Sequence, residues 1–104
     1  MSRGPDAATL LERALVRMAA RAGCPIDLVR ADWDRWASAT FTGARHHLTV
    51  RGKDTAVLRG WTASLPEAEF ALRGHLVADL AVTESRVDDG YRRIGIEVLT
   101  VEDR

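Results

Sequence analysis

The N-terminal segment carries apolar residues at steps of three and four, the spacing that places side chains on one face of an α-helix. Asp6 is suited to cap the start of such a helix and Gly23 to end it, while Pro25 blocks continuation. The pattern predicts an amphipathic helix between Asp6 and Gly23. Its apolar positions are Ala7, Leu10, Leu11, Ala14, Leu15, Met18 and Ala22.

Apolar and polar residues alternate on both sides of the dipeptide Gly43-Ala44, which suits a two-residue type II′ turn. With that turn, Phe41 would pair with His46 and Trp36 with Arg51. The alternation predicts a hairpin with one face covered by the N-terminal helix. The covered face would hold Ala37, Ala39, Phe41, His46, Leu48 and Val50, and the other face Trp36, Ser38, Thr40, His47, Thr49 and Arg51.

The middle of the chain is rich in loop-forming residues. Residues 52 to 63 indicate no element beyond a short strand at Ala56 to Leu58. Ser64 and Glu67 form a capping-box pattern, which predicts a second helix from Leu65 to Leu72 that Gly74 ends.

Two further alternating runs flank Asp88-Asp89-Gly90. A two-residue turn would set apolar residues against polar ones on the same face. A three-residue loop with Gly90 in the left-handed region instead pairs Val82 with Ile96 and Glu84 with Ile94. The pattern therefore predicts a second hairpin with this longer loop.

The predicted elements follow the order α-β-β-α-β-β. We expect an α+β fold: a two-layer sandwich in which a largely antiparallel four-stranded sheet has both helices on one face. The length of 104 residues suits a single domain spanning residues 1–104.

The second hairpin is expected to carry apolar residues on its uncovered face as well. A sheet with apolar residues on both faces is normally covered twice, and this chain has little left to form a second layer. We therefore expect self-association through that face, which Leu99→Arg should disrupt. The predicted interface residues are Val77, Ala81, Tyr91, Leu99 and Val101.

Composition narrows the candidate functions. Basic and acidic residues balance at 15 each, which argues against a nucleic-acid binder that relies on net positive charge. Arginine far outnumbers lysine and alanine is abundant, as in proteins of GC-rich bacteria. Cys24 is the only cysteine and no apolar block is long enough for a membrane span, so we expect a cytoplasmic bacterial protein.

Candidate chemistry is sparse. His46 and His47 are adjacent on a predicted strand and point to opposite faces, so they cannot share one metal ion. No spacing typical of a metal site, a catalytic nucleophile or a phosphate-binding loop occurs, and we expect neither a metal nor a cofactor. The candidate ligand or partner face comprises Trp36, Thr40, His47, Thr49, Arg51, His75 and Asp79.

The sequence favours a non-catalytic, self-associating binding or assembly module. One alternative is a small-molecule-binding protein or small enzyme with its site at a subunit seam, where bulky aromatic residues could line a pocket. Another is a single-stranded nucleic-acid binder, in which Trp36 and Arg51 would stack on bases. In that case binding should weaken with salt.

Overall fold

The computed structural model describes residues 6–103. Within these residues, two helices and a four-stranded antiparallel sheet form an α+β fold with the predicted order of elements. The elements are α1 (Ala7–Arg21), β1 (Asp27–Ala37), β2 (Thr42–Lys53), α2 (Ala56–Ser64) with a 3₁₀ turn (Leu65–Glu67), β3 (His75–Asp88) and β4 (Tyr91–Glu102).

Helix α1 begins and ends where the sequence predicts. The Asp6 carboxylate accepts a hydrogen bond from the Thr9 amide at 2.9 Å and caps the first turn. Gly23 adopts a positive φ of 88°, and the Cys24 amide then donates to the Ala19 carbonyl at 2.9 Å. This is the Schellman arrangement, which favours glycine at the left-handed position.

The predicted turn of the first hairpin is wrong. The chain reverses at Ser38 to Phe41, where the Ser38 hydroxyl oxygen accepts hydrogen bonds from the amides of Thr40 at 3.3 Å and Phe41 at 3.0 Å. Gly43 lies within β2 opposite Trp36, and His46 pairs with Trp33 instead of Phe41. β2 nevertheless keeps its predicted faces, since His46, Leu48 and Val50 are buried and the alternation along a strand does not depend on its partner.

The second helix lies earlier in the chain than predicted, and the short strand predicted at Ala56 to Leu58 is wrong. Thr55, not Ser64, is the N-cap, and its hydroxyl accepts from the Leu58 amide at 3.1 Å. The buried residues Leu58, Trp61 and Leu65 recur at three- and four-residue steps, the helical signal that the prediction missed. Ala68 has an extended backbone and no helix follows it up to Leu72, so the helix predicted to reach Leu72 does not form.

The second hairpin closes with a two-residue turn, so the predicted three-residue loop is wrong. Asp89 and Gly90 both have positive φ, at 54° and 79°, as a type I′ turn requires. A bulge between Val82 and Glu84 then shifts the pairing of β3 with β4 by one residue. Val82 pairs with Ile96 as predicted, whereas Ile94 pairs with Ser85 instead of Glu84.

The sheet has the strand order β1-β2-β4-β3, which puts β2 and β4 at the centre and β1 and β3 at the edges. The buried face of the two central strands packs against both helices in one apolar cluster. The largest fully buried apolar side chains are Leu11, Leu15, Val50, Leu58, Leu65, Ile94, Ile96 and Val98.

Two glycines give a matched test of this packing. A Cβ at Gly43 would collide with the Thr100 carbonyl oxygen of β4, whereas nothing lies within 4 Å of a Cβ at Gly60 in α2. We expect Gly43→Ala to lower the free energy of unfolding by about 1–3 kcal/mol through overpacking. Gly60→Ala should raise it by about 0.5–1 kcal/mol through helix propensity. Urea unfolding measures both, and equal effects would contradict the close approach of β2 and β4.

Candidate functional site: the open face and the sheet edges

The sheet face turned away from the helices, called the open face below, is largely charged. At its centre, His47 and Arg45 of β2 both approach Glu97 of β4. The distance from His47 Nδ1 to Glu97 Oε2 is 3.3 Å, and that from Arg45 Nη1 to Glu97 Oε1 is 3.8 Å. These groups are about half exposed, so such pairs add little stability. The centre of the open face is therefore an ordinary solvated charge network.

One end of the open face is apolar. Trp36, Gly43, Val101 and Leu76 follow one another across the four strands. The Trp36 indole lies over Gly43, with its Nε1 only 3.0 Å from an ideal Cβ built there. That Nε1 is buried and has no hydrogen-bond partner within residues 6–103. Gly43 thus provides the room that the indole occupies.

The predicted ligand face is not a single site. Trp36 lies opposite Gly43 at the start of β2, whereas Arg51 lies near the end of β2. The guanidinium of Arg51 stacks on the Tyr91 ring at 3.7 Å from its centroid, so the predicted Trp36–Arg51 pairing is wrong. Thr40 lies in the β1–β2 turn, away from Thr49 in the middle of β2.

The histidines and Asp79 are also separated. His47 is on the open face, and Asp79 is on the same face beside Leu99. His75 lines a cavity that contains His46 and lies at the N-terminal end of α1. The structure therefore does not bring His47, His75 and Asp79 together. Within the described part of the chain, no group of three or more His, Cys, Asp or Glu side chains could hold a metal ion.

The predicted interface residues divide between the two faces. Tyr91, Leu99 and Val101 are partly buried on the open face, and Ala81 is exposed there beside Glu97. Val77 instead pairs with Thr100 and packs against the core, because a bulge between Val77 and Asp79 reverses its orientation. Its predicted place on the open face is wrong, and Leu76 occupies that face.

The cavity beneath the N-terminal end of α1 measures about 160 Å³. His46, 2% exposed, lies on its wall with Nε2 at 2.9 Å from the Thr100 hydroxyl oxygen. The Thr100 hydroxyl donates to the Ala44 carbonyl at 3.3 Å, so Nε2 of His46 is the donor to Thr100. The neutral imidazole therefore fits this site without another proton.

His46 should make stability depend on pH. Burial lowers the pKa of His46 below its ordinary value of 6.5, although the carboxylate of Asp6 opposes the shift. Below pH 6.5, His46 therefore binds a proton more readily in the unfolded chain than in the folded chain. The contribution of His46 to the free energy of unfolding is fully present above pH 6.5 and decreases as the pH falls below it. We expect the melting temperature to decline between about pH 6.5 and 5.

Two variants isolate this contribution. His46→Gln removes the titrating group and should flatten the decline of the melting temperature with pH. His47→Gln alters the neighbouring residue on the open face and should leave the decline in place. Thermal unfolding followed by circular dichroism measures both, and an unchanged profile in His46→Gln would contradict the assignment.

Two other polar sites have structural roles. Asp54 accepts hydrogen bonds from Arg92 at 2.9 Å and Arg59 at 3.0 Å, which lower the pKa of its carboxyl and tie α2 to the β3–β4 hairpin. Cys24 is buried in the core, and burial raises the pKa of its thiol. A protonated core thiol is a poor nucleophile. Within residues 6–103, no helix is long and apolar enough to cross a membrane.

The exposed large apolar side chains lie mainly along the two edges of the sheet, which the sequence pattern did not indicate. Four of them lie along α1 and β1: Val16, Leu28, Val29 and Trp33. Val57 lies in α2, and Leu76 and Val87 lie near opposite ends of β3. Phe41 is the remaining one within residues 6–103 and lies in the β1–β2 turn. The α1/β1 edge therefore carries the larger group of exposed apolar side chains, and such groups mark interaction surfaces.

Comparison with known proteins gives a likeness of fold. No protein-family model matches the chain, and no curated protein matches it. A chain in a solved structure titled "Virion of native gene transfer agent (GTA) particle" is similar, with a TM-score of 0.50 and 17% sequence identity. The alignment covers 99% of this chain and 75% of that one. At this identity, the comparison establishes a shared fold.

Proposed function

We propose that the protein is a non-catalytic structural subunit that self-associates within a multi-copy assembly. The observation that carries this proposal is the exposure of β1. Ten of its eleven residues are exposed and Trp36 alone is partly buried. Leu28, Val29 and Trp33 are 38%, 44% and 51% exposed. An edge strand of this length with apolar side chains in water is a site for association with another chain.

The similar fold in a virion supports an assembly role. A virion is a particle built from many protein subunits, and the virion chain shares this fold over nearly the full length of the present chain. We propose a component of a similar particle, made in the bacterial cytoplasm and acting with copies of itself. The ligand-binding alternative has no comparable support, because its predicted residues do not lie together in one site. These residues are Trp36, His47, Arg51 and Asp79.

Sedimentation velocity at micromolar concentration tests the proposal. We expect the purified chain to form an oligomer whose fraction increases with protein concentration. A monomer over the whole range would overturn self-association.

A pair of substitutions distinguishes the β1 edge from the open face. Trp33→Arg places a charge on the exposed edge and should shift the protein towards monomer, because a charge is costly to bury at an interface. Leu99→Arg alters the open face between Arg45 and Asp79 and should leave the edge contact intact. Circular dichroism verifies that each variant is folded. Dissociation by Leu99→Arg alone would instead place the interface on the open face.

A further inference from the structure

A groove of about 450 Å³ lies between α1 and β1 along the edge of the sheet. Val16 and Leu28 line it and are 40% and 38% exposed, so the groove holds apolar surface in contact with water. A concave apolar surface of this kind fits an apolar side chain from another molecule. The full lining comprises Glu12, Arg13, Val16, Arg17, Ala20 and Leu28.

Trp33 is the largest exposed apolar side chain of the same edge, at 51%. It pairs with His46, which is buried, so its indole lies on the helix side of the sheet. Leu28 pairs with Val50, which is also buried, and so lies on that side as well. The α1/β1 edge therefore presents both an exposed indole and an apolar groove on the same side of the sheet.

We propose that the partner of the α1/β1 edge is the same edge of a second copy, related by a two-fold axis that passes through Ala31 of β1. The inference rests on the proposed function and names the surface through which it operates. The two β1 strands run antiparallel across the axis, so the two sheets meet edge to edge. Trp33 of each copy enters the groove of the other.

The alternation of side chains along β1 limits where the axis can lie. A two-fold axis perpendicular to the sheet keeps the helices of both copies on one side of the joined sheets. Side chains that meet across the axis must then lie on the same face. The axis therefore passes through a residue of β1 and not between two residues.

The charges of β1 select Ala31 as that residue. Arg30 and Asp32 flank Ala31 on the open face, where Arg30 Nε lies 2.8 Å from Asp32 Oδ2. With the axis through Ala31, Arg30 of each copy faces Asp32 of the other, and opposite charges meet twice. An axis through Arg30 or Asp32 sets that residue against itself, and an axis through Trp33 sets Asp32 against Asp34. Like charges directly opposite are destabilising.

The same axis brings each indole to the groove. Counted from Ala31, Trp33 of one copy faces Val29 of the other, and Leu28 with its groove comes next along the strand. The bulge between Leu28 and Arg30 keeps the regular pairing of the two strands short, so side chains form most of the contact. All four exposed apolar side chains of the α1/β1 edge are thereby covered together.

The remaining charges of the edge are balanced in sign. A contact of the edge with itself therefore brings together no excess of either sign. Among residues 6–103, its carboxylates without an ion pair are Glu12, Asp27 and Asp34, and its arginines without one are Arg13, Arg17 and Arg21. The contact is isologous and is complete at two copies, so a larger assembly needs a second surface.

A cysteine on the axis tests this geometry. Residues directly opposite in an antiparallel pair have Cα atoms about 4.5–5.5 Å apart, within the range of about 4.4–6.8 Å that a disulfide spans. We expect Ala31→Cys to become mostly a covalent dimer in mild oxidant, as measured by non-reducing gel electrophoresis at micromolar concentration. Cys24 is buried and is present in every variant, so it does not account for a difference between them.

Ala37→Cys is the matched control, at an exposed alanine of the same strand. Its two copies are about 40 Å apart along the strands at about 3.3 Å per residue, so it should stay monomeric on the gel. Equal cross-linking of Ala31→Cys and Ala37→Cys would overturn the inference. An absence of cross-linking in Ala31→Cys, when sedimentation shows an oligomer, would overturn it as well.

Charge reversal on β1 tests the register independently. Arg30→Asp sets a carboxylate against Asp32 of the other copy, and Asp32→Arg sets a guanidinium against Arg30. Each variant alone should weaken self-association by about tenfold or more in dissociation constant, because like charges then face each other. Equal amounts of the two variants should associate in sedimentation velocity, since opposite charges meet again, and salt should weaken this recovery. No recovery between variants that circular dichroism shows to be folded would overturn the inference.

The other edge strand provides a matched control for the charges. Glu84 and Arg86 of β3 form an ion pair with the same spacing along the strand, with Arg86 Nε at 3.7 Å from Glu84 Oε2. Glu84→Arg and Arg86→Asp should leave self-association unchanged, and a loss there would assign the contact to β3 and overturn the inference. A monomeric unmodified chain would instead remove the proposed function itself. An oligomer that neither Arg30→Asp nor Asp32→Arg weakens keeps the proposed function and overturns the two-fold contact.

Discussion

The pairing of β2 with β4 at the centre of the sheet is the contact on which the rest of the structure depends. One face of these strands provides Val50, Ile94, Ile96 and Val98 to the core, and both helices pack on that face. Full burial of such a side chain contributes about 1.5–3 kcal/mol. Gly43 also depends on this pairing, because the Thr100 carbonyl oxygen of β4 occupies the space that a Cβ at Gly43 would need. This central pair also determines which strands have only one neighbour.

Because β2 and β4 occupy the centre, β1 and β3 become edges with different surroundings. α1 contacts β1, and the 3₁₀ turn after α2 packs against β3. Each edge is thus a strand beside a helical segment, with a groove between them. Natural edge strands are protected by bulges and charges, and both devices occur here. The apolar residues that remain exposed between these protections are accordingly the strongest indication of a partner.

Local patterns predicted the faces of the strands better than their partners. His46, Leu48 and Val50 were placed on the covered face although the first hairpin turn was wrong, because alternation alone determines the face. The turn was predicted at Gly43 because glycine is typical of turns. Gly43 instead permits close packing against Thr100 of β4, a contact between residues far apart in the sequence that a local pattern cannot predict. Gly60 lies within α2, and a glycine at this position favoured the interpretation of the segment as a loop. In β3, the bulge that reverses Val77 depends on pairing with β4 and has no local signal. Trp36 and Arg51 of the predicted ligand face are separated because the predicted turn of the first hairpin was wrong. No local pattern related His75 and Asp79 to that hairpin.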